Sequence, residues 1–175
     1  MTREHADIQT NLTSAMASRL RGTPRRFYGP ELKVQVAGSI RYPDGFVVRT
    51  PGPRGQTVVE DPVVVFEILS PGTERADRTE RAREYRATPS VRRYVMLRQD
   101  RVAAEVHLRD GDTDRWLSLL LFEDDLLAMP EIGVELPLAE FYEGVELPPL
   151  DQPTEPKLPS ARWLPPCRAI VSGLV

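Results

Sequence analysis

Apolar residues recur at every fourth position near the start of the chain, at Ile8, Leu12, Met16 and Leu20. That spacing predicts a helix over residues 3–21 with one apolar stripe. Gly22 and Pro24 end it, and Arg19, Arg21, Arg25 and Arg26 gather where cations favour the helix dipole. The period then switches to two. Leu32, Val34 and Val36 alternate as a half-buried strand, and Gly38 breaks the pattern before a short strand around Ile40. Phe46-Val47-Val48 forms a third strand after the turn Pro43-Asp44-Gly45, and residues 50–55 are a loop by composition. Residues 62–69 read as the central strand, and a second helix covers residues 75–87, capped by Thr73 or Asp77 and stopped by Pro89. Val91 to Leu97 is a further apolar strand, and Val102, Ala104, Val106 and Leu108 alternate. The turn Asp110-Gly111-Asp112 joins that strand to Trp116–Phe122 as a hairpin. Ile132, Val134 and Leu136 make one more short strand, and Pro137 starts a last helical turn through Phe141-Tyr142. Past residue 146 the chain is proline-rich and aperiodic, and the expectation is a poorly packed tail. This order predicts an α+β fold, a mixed β-sheet flanked by helices.

Glu67 conflicts with its own strand. It stands inside the run Val63-Val64-Val65-Phe66-Glu67-Ile68-Leu69, and an unbroken apolar run reads as a strand buried on both faces. An ionised carboxylate there is costly unless a metal ion, an arginine or lysine, or a proton meets it. Asp44 lies upstream at the start of another strand. Two acids from neighbouring strands are the minimum that holds a divalent cation. Hard oxygen ligands suit Mg²⁺ or Mn²⁺, which bind phosphate oxygens and activate water for phosphodiester hydrolysis. Pro-Asp-Gly is also a common turn, and an acid in a strand can instead form a structural ion pair with an arginine. Asp77, Arg81 and Tyr85 lie four apart on one stripe of the second helix. If that stripe faces the strand, Arg81 meets Glu67.

Composition narrows the classes. A chain of 175 residues, 41% hydrophobic and 28% charged, suits one folded domain. A net charge of −3 gives no global attraction to nucleic acid, so such binding needs a local patch. Arg75, Arg78, Arg81, Arg83, Arg86, Arg92 and Arg93 offer one, although Glu74, Asp77, Glu80 and Glu84 interleave and read as a salt-bridged, solvated helix. Cys167 is the single cysteine, and His5 and His107 are the two histidines, so an internal disulfide is excluded and a Cys/His zinc site is disfavoured. No apolar stretch is long enough for a membrane partner, and the start lacks a signal peptide's apolar region, so a cytoplasmic location is the expectation.

The string Phe66-Glu67-Ile68-Leu69-Ser70-Pro71-Gly72-Thr73, with Asp77, Arg81, Tyr85 and Tyr94 following, resembles the Uma-two family of restriction endonuclease-like domains, in the PD-(D/E)XK nuclease superfamily. Arg41-Tyr42-Pro43-Asp44 resembles the family's Pro-Asp, and Arg3-Glu4-His5 its upstream helix start. The likeness runs over residues 3–142. It implies a metal-dependent DNA endonuclease in which Asp44 and Glu67 hold Mg²⁺ or Mn²⁺. The third superfamily position, usually Lys, falls on Leu69; in this family the following helix supplies the lysine, and there this chain has Arg81. The resemblance thus makes Arg81 the third catalytic position, with Asp77, Tyr85 and His5 in support. Arginine cannot lend or take a proton, but it can stabilise developing negative charge. It can equally replace the metal as Glu67's partner, and the alternative is then a catalytically inactive nuclease-fold relic or binding domain. DNA is the implied partner, and a homodimer is compatible, since many nucleases of this fold pair up to cut both strands. Family members usually carry a small helix and a β-hairpin ahead of the histidine helix. The expectation is therefore a nuclease-like domain over residues 1–146 without that segment, and a separate tail over 147–175.

Overall fold

A computed structural model describes residues 1–70 and 75–149, with the backbone alone for residues 75–77. The expected cap at Thr73, the side chain of Asp77 and residues 150–175 of the expected tail lie outside the described residues.

Helix α1 (Arg3–Leu20) starts where the Thr2 hydroxyl accepts the His5 N–H at 3.2 Å, and the chain leaves it through Gly22 at φ +79°. Its stripe buries Ile8, Leu12, Ala15, Met16 and Leu20. The strands that follow are β1 (Arg26–Tyr28), β2 (Lys33–Val36), β3 (Ser39–Arg41), β4 (Gly45–Val48), β5 (Val58–Val59) and β6 (Val64–Leu69). Helix α2 (Arg75–Ala87) crosses over to β7 (Arg93–Arg98), and β8 (Ala103–Arg109), β9 (Trp116–Phe122), β10 (Leu126–Met129) and β11 (Val134–Pro137) complete the set. A short 3₁₀ helix, Leu138–Tyr142, follows directly after β11.

The main sheet has six strands in the order β1-β4-β6-β7-β8-β9. The β6–β7 pair is parallel, as a crossover through α2 demands, and its other neighbours are antiparallel. Strands β3-β2-β5 form a small second sheet, and β10 and β11 form a hairpin. The architecture is the expected α+β, a mixed sheet with helices. No described helix is long and apolar enough to cross a membrane.

Both faces of the main sheet are covered. Val64, Phe66 and Ile68 of β6 pack with α1, the 3₁₀ helix and the β10–β11 hairpin, whereas Val65 packs with Ala82 and Tyr85 of α2. Double coverage is why β6 reads as continuous rather than alternating, and strand alternation turns Glu67 toward α2. It also corrects the half-buried reading of β8: Ala103, Ala104, Val106 and His107 are all buried there. Strands β1, β5 and β10 have no counterpart in the sequence pattern. Gly45 is fixed by packing: a Cβ there would lie 2.5 Å from Cζ of Phe27, so β1 rests on the bare backbone beside Asp44. The charged face of α2 also departs from expectation. The described pairs reach other elements rather than along the helix, with Glu84 held by Arg41, Arg81 by Glu67 and Arg86 by His107.

Candidate active site

The β4–β6 ladder sets the geometry. Its register pairs Gly45 with Phe66, and one step further Asp44 comes opposite Glu67. Asp44 leaves the ladder just enough for its carboxylate to turn onto β6, where Oδ2 accepts the Ile68 N–H at 2.6 Å. Its Oδ1 lies 3.0 Å from Nε2 of His5, and its carbonyl accepts a bond from Gln9 Nε2 at 2.7 Å. His5 and Gln9 are one turn apart on α1, so one helix face holds both ends of Asp44.

His5 is itself held. Its Nδ1 lies 3.2 Å from Nε2 of Gln99, and Oε1 of Gln99 accepts the Thr2 hydroxyl at 2.8 Å. With Oε1 taken by Thr2, the Gln99 amide offers its NH₂ to His5 Nδ1. His5 then carries its proton on Nε2 and donates it toward Asp44. Gln99 is buried just past the end of β7, so this relay spans both ends of the sheet's parallel core.

Glu67 is 7% exposed. Its Oε2 accepts Arg81 Nη1 at 3.0 Å and its Oε1 accepts the Tyr85 hydroxyl at 3.0 Å. Burial pushes its pKa up to about 7, and the charge of Asp44 adds to the rise, while Arg81 and the Tyr85 hydrogen bond pull it down. Burial and the neighbouring Glu67 charge raise the Tyr85 pKa far above its usual range, so its phenol stays a neutral donor. Tyr85 packs on Tyr94 with ring centroids 4.8 Å apart. Arg41 of β3 donates two hydrogen bonds to Glu84 and so ties α2 down one residue from Tyr85.

Asp44, Glu67, Arg81, Tyr85 and His5 are therefore gathered in one place. Thr2, Gln9 and Gln99 escaped the sequence reading. Gln9 carried a usable signal, four residues after His5 on the same helix face; Gln99 carried none.

The donor set suits a hard divalent cation. Two carboxylates face one fixed guanidinium, which leaves negative charge in excess. Gln9 Oε1, beside Asp44, is buried without a hydrogen-bond partner, the kind of acceptor that a cation's bound water satisfies. Among the described residues no three His, Cys, Asp or Glu side chains form a closed cage. Mg²⁺ needs none, because it keeps several waters and takes phosphate oxygens directly.

Residues 1–139 match a family profile, Uma2, described as "Putative restriction endonuclease". The chain belongs to the Uma2 family. It is 28% identical over 147 residues to an uncharacterized protein of Synechocystis sp., an alignment covering 82% of this chain and 77% of that relative. In three dimensions it is similar to a crystal structure described as a putative nuclease belonging to DUF820 from Anabaena variabilis. The TM-score is 0.69 at 16% identity, covering 83% of this chain and 84% of the other. At that identity the likeness shows a shared fold. In this Uma2 member the cation that reaches the central-strand glutamate is an arginine.

Proposed function

We propose that this Uma2 protein is a divalent-metal-dependent endonuclease that hydrolyses DNA phosphodiester bonds. The observation that carries the reading is Asp44 standing opposite Glu67 across β4 and β6, with Arg81 donating to Glu67. Asp44 and Glu67 are the side chains to hold Mg²⁺ or Mn²⁺, which when bound supplies a Lewis acid and a water of lowered pKa. His5, Gln9 and the Ile68 N–H orient Asp44, and Tyr85 orients Glu67. Arg81 offsets one carboxylate charge and stands where negative charge on a phosphoryl group can be stabilised. Being permanently charged, it moves no proton. The test is cleavage of supercoiled plasmid in Mg²⁺ or Mn²⁺, with a chelator as control. Nicking is expected with metal, and Glu67→Ala or Asp44→Ala should slow it on the order of 100-fold or more. Cleavage that persists in Glu67→Ala, or none under any metal, overturns the reading.

A specific observation favours a second reading, an inactive relic or binding domain. All four oxygens of the two carboxylates already meet protein groups: Arg81 and Tyr85 at Glu67, His5 and the Ile68 N–H at Asp44. The two readings part on metal. A folded-state ligand at ~100 times its Kd stabilises by about 2.7 kcal/mol. The nuclease reading therefore expects Mn²⁺ to raise the Tm of the wild type and not of Glu67→Ala. The relic reading expects no rise in either.

A further inference from the structure

Strand β9 is the last in the main sheet. β8 pairs with one side of it, and no described strand pairs with the other. Its sequence, Trp116-Leu117-Ser118-Leu119-Leu120-Leu121-Phe122, has no charge and no proline. Protein sheets usually blunt such an edge with a lysine, a proline or a bulge. Here it is instead apolar on both faces. Leu117 is 51% exposed and Leu119 45% on the α1 face, while Leu120 is 67% exposed and Phe122 55% on the α2 face. Charge is confined to the two ends, where Arg115 precedes the strand and Glu123 and Asp124 follow it, all exposed.

We propose that two copies of this chain join through β9, paired antiparallel about a two-fold axis at Leu119, so that their main sheets become continuous. A two-fold axis makes the contact self-complementary: each copy presents the same strand to the other. In this register Leu119 faces its own counterpart, Leu117 faces Leu121, Ser118 faces Leu120 and Trp116 faces Phe122. Arg115 then comes opposite Glu123, once at each end. That opposition of charge selects the second copy and the antiparallel sense, because in-register parallel pairing would set Arg115 against Arg115 and Glu123 against Glu123. Asp114, which would come near Asp124, is already held by Arg109 at 3.3 Å. Asp125 Oδ2 caps the Phe122 N–H at 2.7 Å, which ends the available ladder at Leu121.

Sedimentation velocity on the full chain, over a dilution series without nucleic acid, tests the pairing independently of catalysis. A dimer mass is expected. Leu119→Lys sets two ammonium groups on the axis and should give a monomer with unchanged circular dichroism and Tm. Arg115→Glu should weaken association about tenfold, and adding Glu123→Arg should restore it. β9 amides should be protected from hydrogen exchange in the wild type and open in Leu119→Lys. A monomer at every concentration overturns the proposal, as does a dimer indifferent to Leu119→Lys or a double reversal without rescue. A monomer with protected β9 amides also overturns it, and would assign the edge to residues 150–175 of the same chain. Loss of nuclease activity changes none of these masses, so the two readings fail separately.

Discussion

Glu67 ionises near pH 7 in the folded protein, against 4.5 for an ordinary glutamate. The folded state therefore binds its proton more tightly than the unfolded state does. Stability from this group is gained as pH falls from about 7 toward 4.5 and lost as pH rises through that window. The span corresponds to about 3 kcal/mol. His107 acts the other way: burial lowers its pKa, so its contribution is lost as pH falls below 6.5. The two slopes overlap, and a variant separates them. Urea unfolding of Glu67→Gln, in chelator at several pH values, should lack the gain toward acid that the wild type shows. An identical pH profile in the two proteins would mean that Glu67 is ionised throughout.

At the scale of elements, α2 carries half of the candidate site and is fastened at its far end by one residue. Arg109 of β8 donates to the carbonyls of Arg86 at 2.9 Å, Thr88 at 3.1 Å and Val91 at 3.0 Å, and lies 4.7 Å from the Trp116 ring centre. Those carbonyls end a helix and have few other partners. Arg109→Ala should cost about 2 kcal/mol by chemical denaturation, and should speed hydrogen exchange in the last turn of α2. The helices themselves were legible because their apolar positions repeat over three turns or more. So were β6 and β7, whose apolar runs are six residues long. Strands β1, β5 and β10 were not. With three, two and four residues, they are too short to display a period, and they exist because tertiary neighbours complete their hydrogen bonds.

Across the whole molecule, the titratable half of the site was visible in the sequence and the amide half was not. Glu67 was legible as a charge in an apolar run, and Arg81 with Tyr85 as a helical stripe aimed at it. Gln99 was hidden because an uncharged side chain after a strand looks like any other. Its role exists only once Thr2 and His5 arrive from the opposite end of the chain. That separation has a kinetic consequence. Glu67 meets Arg81 and Tyr85 across 14 and 18 residues, within one strand–helix unit. His5 meets Asp44 across 39, and Gln99 meets His5 and Thr2 across 94 and 97. Short loops close at lower entropic cost than long ones. The Glu67 half can therefore assemble early in folding, while Asp44 is held in its final orientation only after α1 docks.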